Sequence, residues 1–567
     1  MDRRLRRPES FEDVKAEGLF RATTAPKILA NRGVLFVQGL PGLLAAGGFR
    51  PDKIPTMQEV QEAGSRIFES TSCTERVDVF VSHRWGAARW AKYLNLCLYL
   101  NLSAAVVCSL ITWVLATAVM ILRAGSAGNL GDNRLLLPVL VYLPMGVFFL
   151  MFFVGQHAIH LFWPTSLWVD RACAHQTDHE LKRRQIQALP VFVARSSSML
   201  VLWDDEYFQR LWCQLELATF AKYGSLQKVN ILPLWLAPWL LSALVINLGA
   251  ASGWNFLWYG LSPDFLYSVV ATVQARVPQT LSEPVTSVII ITFFGGMVGL
   301  LASIPWAVAC KAKLRSHEKM LDQMANFDCR AAQCTEPADR LLVQQQVQHL
   351  FRAPRTQKAN HMASSASSSS DRSEVDEIDD RSLDAFNGYI QGPLRSVVKE
   401  NVGAKLHVPY WLCLLAGLPM TFYSSVDILQ CDDACVASNG FETFSSYMKA
   451  SMVTWLVNIL LVYPIFYPVF LRMLKHAFSV QPEYLQFILA VISSVVSLSY
   501  GYFCSGWVFG LFYLWVQHGI VGLLPLLALL VILVLQQQCL FGNLRGLRRS
   551  SADGTYRSLH AFDEFTI

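Results

Sequence analysis

The sequence predicts a multi-pass α-helical membrane protein of about eight spans that carries an α/β domain on its cytosolic face. Three observations predict it. Long apolar runs are free of charge although the chain has 47 Lys and Arg and 42 Asp and Glu. The basic residues gather in alternate segments between those runs. Finally, residues 197–220, SSMLVLWDDEYFQRLWCQLELATF, read as an apolar strand, a polar turn and a helix.

A hydrocarbon core of about 30 Å takes about 20 apolar residues as a helix. Mean hydropathy of +0.34, with 53% hydrophobic and 16% charged residues, is not a soluble composition. Runs without Asp, Glu, Lys or Arg lie at 93–122, 135–169, 229–263, 284–310, 406–426, 450–471 and 484–544. The last is long enough for two spans with a turn between 504 and 519, which makes eight. The opening residues, MDRRLRRPESFEDVKAE, lack the apolar core of a signal peptide, so the amino terminus is expected to stay untranslocated. Both termini then share one side. All basic residues except Arg123, Arg134, Arg276 and Lys449 fall on that side, which identifies it as cytosolic. This bias accounts for the net charge of +5. No interleaved basic and aromatic stripe occurs, so the expected partner is the lipid bilayer and no nucleic acid is implied.

Taken in order, residues 1–76 form a cytosolic lead-in with a basic start, an apolar Gly-rich patch at 33–49 and an amphipathic helix at 56–69. The patch is too short and too interrupted to span; it packs on the following domain or lies at the membrane surface. Residues 77–82, VDVFVS, alternate and turn at SHRWG, as a strand with a polar carboxyl end does. A transmembrane hairpin, 93–163, follows, its external loop holding Gly125, Gly128, Gly131 and Asn133. A hairpin returns the chain to the side it left, so 77–92 and 164–235 are expected to form one split α/β domain. In the second part, SLWVD (166–170) reads as a short strand, 178–189 has helical spacing, 197–220 is the strand and helix already named, and VNILPLW (229–235) is either a further strand or the start of the third span.

Spans three and four occupy 236–310. The cytosolic segment 311–405 contains two amphipathic helices separated by Thr335, Glu336 and Pro337, then a Ser-rich and acidic linker at 361–382 with too little apolar surface to order. Spans five to eight occupy 406–540, and 541–567 is a cytosolic tail. Among 13 cysteines, Cys431 and Cys435 stand in an external loop as a possible disulfide. No second Cys pair matches a Cys-x-x-Cys, and the spacing of Cys173, His175 and His179 is weak evidence for a ligand set, so no metal is expected.

Ligands of open α/β sheets lie at the carboxyl ends of the strands. Glu216, four places after Trp212 on the helix that follows the strand, is therefore a candidate site carboxylate; the alternative is a surface Glu paired with Arg210 or Lys222. His83 and Arg84 offer an imidazole and a guanidinium where a phosphate can be met, or else form a solvated turn beside lipid headgroups. The charge-free runs hold no ionisable residue of the kind that marks proton pathways. That argues against a proton-coupled transporter and leaves a channel or other transporter with a regulatory cytosolic domain as one reading.

VDVFVSHRW (77–85) resembles the first box of TIR (Toll/interleukin-1 receptor-type) domains, whose opening strand ends in a Phe-x-Ser motif. SSMLVLWDDEYFQRLWCQLELATF resembles the plant-type TIR box in which a strand, a Tyr and a Trp-Cys-x-x-Glu-Leu helix follow one another, and VNILPLW is similar to the next TIR strand. The resemblance implies a flavodoxin-like parallel sheet and a signalling or protein-interaction role, with a TIR-domain partner or a homo-oligomer. In family members that cleave NAD the Glu of this motif is catalytic, and it falls on Glu216. The resemblance thus implies NAD as a substrate of a possible NAD glycohydrolase, with Ser82, His83, Arg84 and Trp212 as nucleotide-binding candidates. A transmembrane hairpin stands where the family has its first helix and second strand. The whole layout resembles polytopic membrane proteins of unicellular algae and dinoflagellates that carry such a split domain.

Overall fold

The computed structural model describes residues 11–50, 54–131, 133–260, 268, 271–272, 275–333, 337–351, 380–402, 408–480 and 482–541. These fall into two compact units. One combines Met1–Leu96, His160–Leu234 and Glu318–Lys399; the other combines Cys97–Ile159, Trp235–His317 and Glu400–Ile567.

The first unit is built on a sheet. Its strands are β1 (Arg21–Thr24), β2 (Ser72–Cys73), β3 (Val77–His83), β4 (Ser166–Trp168), β5 (Ser196–Trp203) and β6 (Val229–Pro233), in the spatial order β2-β1-β4-β3-β5-β6. Strands β4, β3, β5 and β6 are mutually parallel, and β1 runs antiparallel to both β4 and β2. Strands 77–82 and 199–203 are thus direct neighbours, with Phe80 opposite Met199 and Ser82 opposite Val201. Parallel strands covered on both faces read as near-continuous apolar runs. Val79, Phe80 and Val81 of β3 and Met199 to Trp203 of β5 are accordingly almost fully buried. Asp78 is the exception on β3. Its carboxylate accepts from the backbone N–H (2.8 Å) and hydroxyl (2.7 Å) of Ser166, while its own N–H donates to the Ser166 hydroxyl (3.0 Å). These bonds pin the β3–β4 register at the amino-terminal edge, and Phe80 stacks on Trp168 at 4.5 Å one strand over.

The lead-in is more than an approach to this unit. Strands β1 and β2 extend the sheet, though with 4 and 2 residues they are too short to show a period in sequence. The helix expected at 56–69 runs Met57–Glu69 and begins in a reciprocal Thr56–Glu59 capping box. The apolar patch packs within the unit, where Leu43 and Leu44 of the Gly39–Ala46 helix are buried. Gln185, 1% exposed, donates to the carbonyls of Leu19 (3.1 Å) and Cys173 (2.9 Å) and accepts from the His175 N–H (2.8 Å). It ties the His179–Gln187 helix to the lead-in. Residues 318–399 also belong here. Gln333 exchanges backbone bonds with Gln209 and Leu211, Gln323 donates to the Asp205 carbonyl at 2.7 Å, and Phe327 lies edge-on to Phe208. The helix Pro337–Phe351 corresponds to the second expected amphipathic helix. The first is the end of a longer helix, Gln279–Ala325. Of the expected linker, 361–379 lies outside the described residues, and Asp380, Arg381 and Ser382 already open the helix Asp380–Tyr389. The tail beyond Phe541 also lies outside them.

The second unit is helical. Among the described residues six helices are long and apolar enough to cross a membrane: Arg89–Ala124, Pro138–Phe162, Leu236–Leu257, Phe444–Ala477, Tyr484–His518 and Ile520–Phe541. Two bent pairs, Pro284–Leu300 with Ala302–Ala325 and Tyr410–Ala416 with Leu418–Leu429, raise the number to as many as eight by length and composition. The ambiguous 229–235 resolves into β6 followed by the helix Leu236–Gly260. One expectation needs correction. The run 406–426 was charge-free only because it stopped a residue short: the helix continues to Leu429 and carries Asp427, whose carboxylate accepts from Trp455 Nε1 at 3.1 Å. Within the loop that follows, Cys431 and Cys435 are joined by a disulfide with Cα atoms 5.2 Å apart.

Candidate functional site

Of the parallel strands β3 comes first in the chain, with β4 laid on one side of it and β5 on the other. The winding direction therefore reverses at β3, and in doubly wound sheets the crevice outside the carboxyl ends at such a point is where ligands bind. The residues delivered there are Ser82, His83 and Arg84 from β3 and the turn after it, Asp170 just past β4, and Asp204 just past β5.

The helix after β5 completes the group. The chain leaves Trp203 through a turn, in which Tyr207 is almost fully buried, and starts the helix Leu211–Tyr223. Cys213, Leu217 and Phe220 face the core, and Glu216 is directed back over the end of β3. Ser82 Oγ donates to Glu216 Oε2 at 2.5 Å and lies 2.7 Å from the Tyr207 hydroxyl. With Ser82 committed to Glu216, Tyr207 is the donor of the second bond. The result is a relay from a phenol through a fully buried hydroxyl to a half-buried carboxyl. Glu216 takes Ser82 as its partner, and neither Arg210 nor Lys222 makes an ion pair with it among the described residues.

Burial dominates the electrostatics of this group. It pushes the Glu216 carboxyl up to about 8, against the opposing Ser82 hydrogen bond and with a smaller push from the Asp170 charge. Burial also raises the Tyr207 hydroxyl and the Cys213 thiol well above their ordinary values, so both remain neutral. A neutral thiol is a poor nucleophile. Cys213 therefore packs, with its Sγ 3.9 Å from the His83 carbonyl. Glu216 is the one group of the relay poised to change charge near neutrality. A cation placed beside it would favour the ionised form, and an ionised carboxylate in a site shielded from water can stabilise developing positive charge.

His83 and Arg84 are not free at the turn. His83 is 9% exposed, has Phe36 edge-on at 5.4 Å, and places Nε2 3.9 Å from Asp170 Oδ1. Burial, then the Lys92 charge, push its imidazole down to about 4, with Asp170 opposing; it is neutral at physiological pH. Arg84 is held by Asp204 at 2.7 Å and Glu206 at 3.0 Å. Trp212 is partly exposed on the first turn of its helix. The strand end thus brings together Ser82 and Glu216, while His83 and Arg84 already have partners.

Several members of this cluster escape sequence reasoning. Trp85 donates its indole N–H to Asp170, and Lys92, 1% exposed, donates to the Trp85 carbonyl at 3.2 Å. The lead-in closes over them. Asn31, Arg32 and Gly33 all adopt left-handed backbone, and a Cβ on Gly33 would stand 3.1 Å from that of Tyr93. That reversal directs 34–39 onto the turn, where Gln38 donates to the Trp85 carbonyl at 2.9 Å and Arg171 donates to the Gly39 carbonyl at 2.8 Å. Tyr207 had a signal, since it is the Tyr between strand and helix in 197–220. Asp170 had one as well, as the carboxylate that closes the short strand SLWVD, whereas Lys92 had none, because only the folded sheet makes it a neighbour of the strand ends. Cys173 is buried, and His175 accepts the Asp178 N–H at Nδ1 (2.9 Å). Among the described residues no three His, Cys, Asp or Glu side chains group as metal ligands. Comparison with models of known families, with curated proteins and with solved structures finds no match for this chain.

Proposed function

We propose that this chain is an integral membrane protein, its termini cytosolic, whose α/β unit is a TIR-like signalling domain. The observation that carries the reading is topological. The strand with the Phe-x-Ser motif, β3, is flanked in parallel by β4 and β5, and the parallel order β4-β3-β5-β6 is the 2-1-3-4 order of flavodoxin-like sheets. The Trp-Cys-x-x-Glu-Leu helix follows the strand beside it. A signalling domain of this kind acts by association with a second copy or with a TIR-domain partner. The His179–Gln187 helix offers an exposed Arg183–Glu180 pair for it. Full-length protein in detergent should be larger than a monomer by light scattering, and R183E should weaken that association at least tenfold. A strictly monomeric protein that also fails to bind a purified TIR domain sinks the reading.

The Ser82–Glu216 contact favours a second activity of the same domain, cleavage of NAD to nicotinamide and ADP-ribose. Glu216 would hold the ribose hydroxyls beside nicotinamide and stabilise the oxocarbenium-like state as the glycosidic bond breaks. The cationic nicotinamide ring would itself favour the ionised carboxylate. Nicotinamide release by full-length protein in nanodiscs, lost in E216Q, supports this activity; no release by a wild-type protein with an intact sheet excludes it.

A further inference from the structure

Among the described residues of the helical unit, Lys313 carries a buried ammonium with nothing to donate to. Lys313 is 1% exposed, and its Nζ makes no hydrogen bond. The amine lies 5.5 Å from the ring centre of Trp235 and 5.8 Å from that of Trp239. Its other electrostatic neighbours are the thiols of Cys310 and Cys413; no carboxylate is among them. Aromatic faces attract a cation but accept none of its three N–H bonds as an oxygen would, and a buried charge without a partner is strongly disfavoured. Trp235 Nε1 is a second buried donor without an acceptor. Two unsatisfied donors, one charged and on a helix and the other in the turn that leads into a second helix, form half of a recognition site whose other half is an anion.

The position of these residues along the chain says which anion. Trp235 immediately precedes the helix Leu236–Gly260, and Lys313 stands three places beyond the charge-free run that ends at Cys310. Successive spans run in opposite directions, so the start of one and the end of the next lie on one membrane face, at the depth of the headgroups. Lys311 and Arg315 flank Lys313 and lie over the Phe478 ring at 5.4 and 5.9 Å. Basic residues clustered between spans at this depth are the usual partners of anionic headgroups.

We propose that Lys313, with the Trp235 indole N–H, binds the phosphate of an anionic phospholipid headgroup, and that Lys311 and Arg315 draw such lipids to the site. The inference rests on the membrane-spanning reading of these helices. Delipidated full-length protein in detergent is titrated with phosphatidic acid, phosphatidylcholine or inorganic phosphate, and retention is read by native mass spectrometry. Wild type should retain phosphatidic acid over phosphatidylcholine, and K313M should lower that retention at least tenfold while K311Q lowers it less. Retention of inorganic phosphate with the same dependence on Lys313 upholds the site and reassigns the source of the phosphate. Equal retention by wild type and a monodisperse K313M overturns the proposal. If K313M does not fold, W235F decides, because it keeps an aromatic face and removes the N–H donor: unchanged retention overturns the site, and a loss supports it. A protein released from membranes without detergent would refute the membrane reading itself, an outcome distinct from failure of the site.

Discussion

Ser82 Oγ and Glu216 Oε2 stand 2.5 Å apart although 134 residues separate them in the chain. The contact needs β3 and β5 to be neighbours and needs the turn after β5 to be short enough to set the helix over the end of β3. A fully buried hydroxyl between a phenol and a carboxyl has little room to rearrange, so each member tests the others.

S82A removes the donor of this relay and leaves Glu216 and Tyr207 without their common partner. If the domain cleaves NAD, the loss of one preorganised contact at the reacting centre should lower turnover by roughly 100-fold. Y207F should have a smaller effect, because Ser82 still donates to Glu216. Nicotinamide release measured for the two variants side by side checks the order.

The pH dependence of local stability follows from two opposed shifts. Glu216 rises from 4.5 to about 8 on folding, so its contribution is complete below about pH 4.5 and is lost as pH climbs toward 8. His83 falls from 6.5 to about 4, so its contribution is present above pH 6.5 and is lost as pH drops toward 4. The two offset each other between those ordinary values, and above pH 6.5 only the Glu216 effect remains. Amides of β3 and of the Leu211–Tyr223 helix should be less protected at pH 8 than at 6.5, after correction for intrinsic exchange. E216Q should abolish that difference; a variant that keeps it would detach the effect from Glu216.

Q185L keeps the side-chain volume but strands the Leu19 and Cys173 carbonyls and the His175 N–H in the interior. The cost should be about 3 kcal/mol or more. It should appear first in β1, as faster hydrogen exchange and earlier proteolysis within residues 11–24. A variant whose β1 protection equals that of wild type would show that the lead-in is held by other contacts.

Cysteines expected on opposite faces report on sidedness. Cys73 is a free, exposed thiol, and the proposed topology puts it on the cytosolic side. Cys431 and Cys435 belong on the other side and are blocked by their disulfide. An impermeant maleimide added to sealed inside-out vesicles should label Cys73 at once. Added to right-side-out vesicles, it should reach Cys431 and Cys435 only after reduction. Labelling of all three from one side overturns the topology. Replacing both loop cysteines by Ser should cost at most about 2 kcal/mol, because the closed loop is so short.

Much of this was legible from pattern alone. The apolar runs of β3 and β5, the capped helix at 56–69 and the charge-free helices all carry a period or a composition that one window of sequence exposes. What escaped was of two kinds. Strands β1 and β2 are too short to carry a period, and they form because the exposed edge of β4 gives them a template. Asp170, Lys92 and the Asp204–Arg84 pair converge on the strand ends from separate segments, and no spacing in the chain records that. His83 and Arg84 stand at the carboxyl end of β3, where the sequence puts them, but their surroundings escape it: their partners come from 36, from 170 and from the turn holding 204 and 206, three separate pieces of chain.

The bond between Asp78 and Ser166 joins residues 88 apart, and both parallel neighbours of β3 lie beyond that interval. During synthesis, then, β3 emerges with nothing to pair with and must wait while two long apolar helices are made and, in the membrane reading, inserted. Strand β1 waits as well, since β4 is one of its partners and β2 offers it only two residues. The sheet therefore assembles only after the hairpin has turned back, so a chain whose hairpin fails to insert would hold apolar strands exposed for as long as it survives. Such a chain is a natural substrate for quality control, and that ties maturation of the α/β unit to correct delivery to the bilayer.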